Sequence, residues 1–485
     1  MIPAPRSVTV LVAERLTTAS GRFTDGRVPD AGVRQLFARE HRWQRWLDVE
    51  VALAAAEAAH GVVPAEAAIA IAAAARLDHL DAARIQRGIL DTSHPLMALV
   101  RELADAAGPV HGGWVHWGAT TQNITQTGDV LVLREAHRVL LDLLADILVA
   151  AAALARRGAR MVAAGRTHGQ HAVPITFGFK VAGWIEELSR HAARLTDVEP
   201  RVFLAMTGGA VGNYASLGAV GPRVQDDVAA RLGLAPMPVP SRASGDGYAE
   251  YVTTLALIAG TGGRIAAEVY ALMSPELGEA CEPVPPGTVG SSTMPHKRNP
   301  QLADDCVTIG AQLRALVPLA LEGMLSHHEV DGGHTAMLDD ALERACGLAG
   351  DLLVRLQVIL AGLELDEARM RSNLDLTAGL ISSESIMLAL GRHIGRQVAH
   401  DVVYDAAQHV GGGSSFADVL RGDPRVAGVL TPSELDHLLD PAQHVGQSAE
   451  LALAAADRAV RLAADLRVHR DTLRTPAPAP VVRPA

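Results

Sequence analysis

Residues 287–300, which read GTVGSSTMPHKRNP, carry the side chains best suited to chemistry in this sequence. Two glycines and two prolines exclude a helix interior or a strand here. Asn299 followed by Pro300 has the pattern of a helix N-cap and first helical residue, and a helix start beside Lys297 favours an anion. The glycines leave Ser291 on a backbone that can move and present N–H groups, as a catalytic lid requires. The segment therefore predicts a carboxylate-binding loop, with a solvated loop and an ordinary helix cap as the alternative.

Other chemical motifs do not fit this segment or its surroundings. A phosphate-binding loop needs glycine immediately before its lysine, where His296 stands. An acylating Ser-x-x-Lys site needs serine at the position of Met294. His328 and His334 lack the spacing of a zinc-binding helix, so we expect them to be loop histidines rather than metal ligands. The sequence predicts no metal site.

Small aliphatic residues dominate the 485-residue chain, in which hydrophobic residues make up 49% and aromatic residues only 3%. Such a composition favours closely packed helices over a sandwich or barrel, so the predicted class is all-α. Apolar residues recur at helical spacing over long segments. The predicted helices cover about 30–61, 128–157, 174–196, 246–275, 300–325, 335–363 and 447–467.

The chain is longer than one hydrophobic core usually supports, so we expect more than one structural unit. Boundaries near residues 118 and 366 give three units, 1–118, 119–366 and 367–485. The third unit ends in a proline-rich tail, TPAPAPVVRPA, which we expect to be disordered.

Charge and cysteine content exclude several classes of function. The net charge is -11 and acidic and basic residues are interspersed, so nucleic acid is not an expected partner. The three cysteines are isolated, which suits a reducing compartment, and we expect a cytoplasmic protein. Asp142 and Asp146 interrupt the most apolar long stretch, and no export signal is evident, so no membrane span is predicted.

Two further polar segments are predicted to be loops that lead into long helices: HGGWVHWGATTQNITQTG at 111–128 and AAGRTHGQHAVPITFG at 163–178. Together with GSSTMPHKRNP, they resemble the three active-site regions of the fumarase/aspartase superfamily, in the expected order. NLDLTAGLISSESIMLAL and LDPAQHVGQSAELAL resemble the carboxyl-terminal part of adenylosuccinate lyases and carboxymuconate cycloisomerases. The resemblance spans most of the chain and is more specific for fold and reaction type than for substrate.

The resemblance implies an all-α fold of three domains whose central bundle of long helices forms the core of a homotetramer. The domains would be an amino-terminal helical domain at 1–118, the central bundle at 119–366 and a carboxyl-terminal helical domain at 367–485. Each active site would draw residues from three subunits. The segment 284–299 would be the mobile loop that closes over a small dicarboxylate substrate, and no cofactor or metal is implied.

The same resemblance implies a role for each matching residue. Ser291 would be the general base and His168 the general acid. Lys297 and Asn299 would hold a substrate carboxylate. Further substrate contacts would come from His94, Thr120, Thr121 and Thr167. Supporting positions would be Asn123 and Asp304.

These residue types suit the removal of a proton beside a carboxylate. The resulting dianion needs fixed positive charge and N–H donors in a space closed to water, which Lys297 and a closed loop could supply. A serine hydroxyl can act as a base only if nearby N–H groups and charge stabilise its oxyanion. His168 could then protonate a departing heteroatom near neutral pH.

Departures from the family pattern bear on the substrate. Adenylosuccinate lyases usually have Asp at the position of Asn123 and Glu at that of Asp304. Ser244 and Gly245 replace a glutamine and an arginine associated with substrate binding, which weakens the case for a nucleotide substrate. Val330 replaces an arginine found in cycloisomerases.

His94 stands where adenylosuccinate lyases have a histidine, which favours a fumarate-releasing reaction. We therefore predict anti β-elimination from a substituted succinate, with nitrosuccinate as the candidate because it needs no nucleotide contacts. The alternatives are an adenylosuccinate lyase, a carboxymuconate cycloisomerase and an inactive structural or binding homologue. Arg22 stands near a family phosphate contact and is left without a role.

Overall fold

The structure is a computed structural model that describes residues 21–411 and 413–473, so the predicted disordered tail lies outside the described residues. Long helices dominate the part of the chain that it describes. The helices are α1 (Val33–Leu36), α2 (Arg39–Ala59), α3 (Ala65–Ala74), α4 (Ala82–Thr92), α5 (Met97–Ala107), α6 (Thr121–Arg157), α7 (Phe177–Val202), α8 (Gly221–Leu232), α9 (Asp246–Leu272), α10 (Gln301–Arg314), α11 (Val317–Glu322), α12 (Gly332–Gly362), α13 (Glu367–Asn373), α14 (Ser383–Ile394), α15 (Arg396–Gln408), α16 (Phe416–Gly422), α17 (Pro424–Ala427), α18 (Pro432–Leu439) and α19 (Ser448–Thr472). The all-α prediction is confirmed.

The strands are short and form three two-stranded sheets among the described residues. They are β1 (Val162–Thr167), β2 (Gln170–Thr176), β3 (Leu204–Ala205), β4 (Ala235–Pro236), β5 (Ala280–Cys281) and β6 (Glu364–Leu365). The polar segment expected as a loop at 163–178 is mostly the antiparallel β1–β2 hairpin. This prediction was wrong because the segment interrupts the apolar alternation of a strand with glycine, arginine and glutamine.

The central bundle is built around α6, which spans 37 residues and packs against α7, α12 and α19. Its buried face consists mostly of leucine, isoleucine, valine and alanine, so the helices approach closely. Gly128 of α6 faces Trp46 of α2, and a Cβ at this position would overlap the indole ring. The glycine therefore lets the amino-terminal helix pack directly against the bundle.

Buried polar groups tie the bundle helices together. His137 of α6 is fully buried, with Nε2 2.9 Å from Glu199 of α7 and Nδ1 3.0 Å from the hydroxyl of Tyr251 in α9. His469 of α19 contacts the same Glu199 carboxylate at 2.8 Å. One carboxylate between two imidazoles thus joins three helices, and each buried partner is satisfied.

The carboxyl-terminal helices divide between two cores. Helices α14, α15 and α16 share a separate apolar core that includes Ile386, Val402 and Phe416. Helix α19 instead buries Ala456 and Ala459 in the core of the central bundle. Of the unit predicted over 367–485, the last described helix therefore packs with the long helices that precede it.

Two described helices, α9 and α12, are long and apolar enough to cross a membrane by length and composition alone. Their most apolar windows are 61% and 72% buried inside the protein. Burial against neighbouring helices therefore accounts for much of their apolar character, as in the centre of a large bundle.

Glu57 of α2 gives the fold a dependence on pH. Its carboxyl group is fully buried and has no hydrogen-bond partner among the described residues. Burial, together with the nearby Glu50 carboxylate, raises the pKa of Glu57 from about 4.5 to about 8. The unfolded chain therefore loses this proton at a lower pH than the folded chain, so stability falls as pH rises from about 4.5 to 8.

Glu57→Gln is expected to raise the melting temperature at pH 8.5 by several degrees while changing it little at pH 4.5, because the amide needs no proton to stay neutral. Calorimetry at the two pH values measures the difference, with Glu66→Gln, exposed on α3, as the control. An equal shift at both pH values would contradict an ionisation effect.

Candidate active site

The Ser291 hydroxyl lies inside a tight turn of the 287–300 loop. Its Oγ accepts hydrogen bonds from the backbone N–H groups of Met294, at 3.1 Å, and Thr293, at 3.3 Å. The same two donors would stabilise a negative charge on Oγ, as donors in an oxyanion hole do. The turn supplies the N–H groups that a serine base requires.

The loop is closed by contacts between its two ends. Asn299 Nδ2 donates to the carbonyl oxygen of Gly290 at 2.7 Å, and the N–H of Lys297 donates to Met294 at 3.0 Å. A Cβ at Gly290 would overlap the carbonyl oxygen of Lys297. Asn299 therefore fixes the loop here rather than facing outward, and glycine at 290 makes this close approach possible.

Helix α10 starts later than predicted. Pro300 is its N-cap and Gln301 its first residue, so the prediction that Asn299 caps the helix was wrong. The Asn299 side chain bonds across the loop to Gly290 instead. An asparagine side chain can either cap a helix or bond to a backbone group across a loop. The fold of the loop decides which of the two Asn299 does.

The anion bound at the start of α10 is the carboxylate of Glu282, a side chain of the protein itself. The N–H groups of Leu302 and Ala303 donate to the two oxygens of Glu282, each at 3.0 Å. Glu282 is fully buried and also pairs with Arg27 at 3.3 Å. The expectation that these helix N–H groups hold a substrate carboxylate was therefore wrong, because a carboxylate twenty residues earlier already occupies the end of the helix.

Lys297 remains a free positive charge beside the loop. Its side chain is exposed and makes no ion pair within the described residues. It lines a cleft of about 870 Å³ together with Asn299, Cys281 and Asp366. An ammonium group placed at such an opening can bind a carboxylate.

His94 and Thr121 form a defined pair at the start of α6. His94 Nδ1 accepts hydrogen bonds from the N–H groups of Leu96, at 3.3 Å, and Met97, at 3.0 Å. The proton of the neutral ring must therefore be on Nε2, which lies 3.2 Å from Thr121 Oγ1. The ring donates to the threonine oxygen, and the threonine O–H is left to donate to a ligand.

Asn123, two residues after Thr121, holds the start of α6 in place. Its Oδ1 accepts from the N–H groups of Thr120, at 3.1 Å, and Gly209, at 3.0 Å. The side chain is fully buried. It fixes the first turn of α6, and with it the positions of Thr120 and Thr121, without introducing a buried charge.

His168 lies at the tip of the β1–β2 hairpin. Thr167 pairs with Gln170, and the two residues between them, His168 and Gly169, have φ angles of 53° and 75°. Two positive φ angles in a two-residue loop match the turn that the strand twist favours. Both Thr167 and His168 are exposed, and the His168 ring makes no hydrogen bond to any described residue.

An ion pair that sequence reasoning missed anchors the hairpin. Arg166 binds both oxygens of the fully buried Glu279, one of them at 3.0 Å from Nη1. Asn373 Nδ2 donates to the same carboxylate at 2.8 Å. The sequence indicated this ion pair only through Arg166, a charged residue directly before Thr167 and His168. Glu279 lies more than a hundred residues away, so the pairing could not be predicted.

A small cleft lies between the first turns of α6 and the amino end of α12. It has a volume of about 40 Å³ and includes Gln122, Ser244 and Thr335. A second cleft of about 530 Å³ includes Trp43 and Pro95. Both clefts are lined by Thr125, Asp129 and Asp339.

Asp339 has an unusual environment for a carboxyl group. It opens into both clefts, and burial together with the charge of Asp129 raises the pKa of Asp339 to about 7. Arg42 binds Asp129 through two hydrogen bonds of 3.0 and 2.7 Å. The Asp339 residue is nevertheless exposed to solvent, so water can also stabilise its ionised form. Nothing in the sequence pattern indicated it.

The remaining predicted positions lie on α10. Asp304 is exposed, and burial of part of its carboxyl group and the nearby Asp305 raise its pKa. Arg22, which was left without a role, pairs with Asp305 at 3.3 Å and donates to Gln312 at 2.7 Å. These contacts hold the start of the described chain against α10.

Apart from Asp304 on α10, the predicted residues lie in three groups: the Ser291 loop, the start of α6 and the hairpin tip. Within the described chain no hydrogen bond joins one group to another, and the clefts above include neither Ser291 nor His168. Among the described residues, His327, Asp331 and His334 form the single group of side chains close enough to share a metal ion.

Comparison with known proteins identifies the family and the fold of the chain. The family described as Lyase matches residues 26–314, and the family described as Adenylosuccinate lyase C-terminus matches residues 379–454. The chain is 35% identical over 417 residues to N-acetyl-S-(2-succino)cysteine lyase of Dickeya dadantii, covering 86% of this chain and 92% of that protein. It is 39% identical over 427 residues to 3-carboxy-cis,cis-muconate cycloisomerase of Pseudomonas aeruginosa, covering 86% and 92%.

A solved structure gives the same result for the fold. The 3-carboxy-cis,cis-muconate lactonizing enzyme of Pseudomonas putida superposes with a TM-score of 0.84 at 35% identity, over 91% of this chain and 99% of that one.

Gly290→Ala is expected to open the Ser291 loop, because the added Cβ would displace Lys297 and break the Asn299–Gly290 hydrogen bond. Amide hydrogen exchange of residues 288–299 should quicken by about tenfold, while the helices stay protected. Gly113→Ala is the control, since a Cβ there meets nothing within 4 Å. Unchanged exchange in the Gly290 variant would contradict the proposed closure.

Proposed function

The chain belongs to the fumarase/aspartase superfamily of lyases, and from this premise we propose that it eliminates the C2 substituent of a substituted succinate and releases fumarate. Ser291 as oxyanion takes a proton from C3, beside a carboxylate. The C2–substituent bond breaks, and its electron pair leaves with the substituent. The electrons of the C3–H bond become the C2=C3 double bond of fumarate.

The observation that carries this proposal is the pair of N–H donors on Ser291 Oγ. A serine hydroxyl is a weak acid, and its oxyanion exists near neutral pH only where charge on oxygen is stabilised. Met294 and Thr293 direct their N–H groups at this oxygen from within the same turn. Lys297, six residues later and unpaired among the described residues, adds positive charge for a substrate carboxylate.

The His94–Thr121 pair supports a second carboxylate contact. Because His94 Nε2–H donates to Thr121, the threonine hydroxyl is oriented to donate its own proton outward. A dicarboxylate substrate offers acceptors at both ends, and Lys297 and Thr121 would each bind one.

His168 would protonate the leaving group from the exposed hairpin tip. Since the Ser291 loop, the start of α6 and the hairpin do not meet within one described chain, we propose that they meet between copies, in a homotetramer that shares its active sites. The exposed position of His168 supports this assembly. We further propose a cytoplasmic location for it.

The small cleft beside Ser244 supports a small leaving group. A volume of about 40 Å³ is too small for a nucleotide. Nitrosuccinate, which would yield fumarate and nitrite, is our candidate substrate.

A succinylated thiol is the second candidate. The cleft of about 530 Å³ that shares Asp129 and Asp339 would hold a larger leaving group. A relative 35% identical to this chain is named N-acetyl-S-(2-succino)cysteine lyase. The two candidates differ in leaving group and share the same proton abstraction.

A substrate screen tests the proposal. Purified protein would be incubated with nitrosuccinate, N-acetyl-S-(2-succino)cysteine, aspartate, argininosuccinate and adenylosuccinate, and fumarate measured by chromatography. We expect fumarate from one of the first two. Silence across the panel would overturn fumarate release and leave cyclisation of carboxymuconate to be tested; tight binding without turnover would indicate an inactive homologue.

Ser291→Ala is expected to lower kcat on the substrate found by about two orders of magnitude or more, with a much smaller change in KM, because Lys297 and Thr121 still bind the carboxylates. Steady-state kinetics measures both constants. Ser292→Ala, in the adjacent exposed position, is the matched control and should be much milder. Near-normal kcat in Ser291→Ala would mean that another group is the base.

His168→Asn is expected to act according to the leaving group. An amine needs a proton as it departs, a thiolate benefits from one, and nitrite leaves as a stable anion. The loss in kcat should therefore be clear if the substrate found is N-acetyl-S-(2-succino)cysteine and small if it is nitrosuccinate, measured against the unchanged protein in the same assay. A large loss on nitrosuccinate would contradict the assignment of His168 as acid to the leaving group.

A further inference from the structure

A histidine-aspartate-histidine cluster lies at the amino end of α12, outside the groups assigned above. His334 Nδ1 lies 2.6 Å and His327 Nδ1 lies 3.2 Å from the same oxygen, Asp331 Oδ2. One ligand atom from each of the three residues falls within 4.8 Å of the others. The prediction from the sequence considered His328 and His334 and missed both His327 and Asp331.

The three ligand atoms lie close enough together to share one ion after a small rearrangement. Ligands about 2.0–2.1 Å from a metal lie roughly 3.0–3.4 Å apart in octahedral or tetrahedral geometry. Two imidazoles with one carboxylate suit Zn²⁺, Ni²⁺ or Cu²⁺, whereas Mg²⁺ and Ca²⁺ prefer oxygen ligands alone. Small movements of the two rings would place an ion among the three groups.

Asp331 is held in place before any ion binds. Its Oδ1 accepts the N–H of His334 at 3.0 Å, and its Oδ2 accepts the N–H of His327 at 3.1 Å. Its own N–H donates to Ser326 Oγ at 2.9 Å. These backbone hydrogen bonds fix the orientation of the carboxylate between the two histidines.

The two imidazoles supply the rest of the site. In the metal-free chain each can donate Nδ1–H to Asp331; an ion would take the Nδ1 lone pairs after the protons move to Nε2. His327 is 76% exposed, which leaves space for water at the open coordination positions. Three protein ligands with open positions give a reversible site rather than a closed structural one.

We propose that His327, Asp331 and His334 form a binding site for a divalent transition metal of the zinc type. The site is fixed to one wall of the small cleft, because Ser326 and Thr335 line that cleft and belong to the same turn. An ion would hold the 326–335 turn in a single arrangement. The proposal concerns metal binding alone and does not depend on the elimination reaction.

The test is calorimetric titration of chelator-treated full-length protein with ZnCl₂. We expect one site per chain that is lost, or weakened at least tenfold, in His327→Ala/His334→Ala. His328→Ala is the matched control, because His328 is exposed beside the cluster and contributes no ligand atom to it. Its affinity should stay within twofold of the original.

Zinc binding at surface histidines elsewhere would persist in the double variant. The proposed site is therefore measured by the difference in zinc binding between the original protein and the double variant. Circular dichroism checks that the variants fold, and Co²⁺ absorbance provides a second readout of histidine ligation. Zinc affinity that is unchanged in the double variant, or lost equally in His328→Ala, would overturn the proposal. Either result stands whether or not the protein releases fumarate.

Discussion

The chemistry proposed for this protein depends on one physical constraint: an oxyanion on serine must be surrounded by fixed donors. The turn at Ser291 supplies two N–H groups, and it holds its shape because Asn299 binds Gly290 across the loop. The loop in turn continues into α10, whose first N–H groups are satisfied by the buried Glu282. A buried carboxylate thus anchors the helix at which the loop of the reactive hydroxyl ends.

Long helices bring the three polar groups into fixed positions, although each group is local in structure. The His94–Thr121 pair is set by the start of α6 and by Asn123 beneath it. The hairpin tip is set by strand pairing and by Glu279. Close apolar packing between small side chains makes the bundle rigid. The start of α6 and the hairpin are therefore held in fixed positions.

The sequence indicated the fold and the three polar segments because helical periodicity and loop composition are local properties. Ser291, His94 and Thr121 were identified by resemblance. In the structure, hydrogen bonds orient each of these side chains. The uses of Asn299, Glu282 and Asp339 could not be predicted, because each depends on a partner brought near only by folding. The hairpin was missed because its strands contain polar residues such as Arg166, which binds Glu279. The strands therefore lack the regular apolar alternation that predicts a strand.

The hairpin that carries His168 constrains insertions and deletions more strictly than it constrains residue types. Side chains alternate between the two faces of a strand, so one added residue would turn His168 toward the opposite face. The register between β1 and β2 already shifts once, between Ala164 and Arg166, and a Cβ at Gly165 would overlap the carbonyl of Val173. Length variation among related chains should therefore accumulate in surface loops such as the one between α2 and α3, whereas the number of residues between Val162 and Thr176 stays constant.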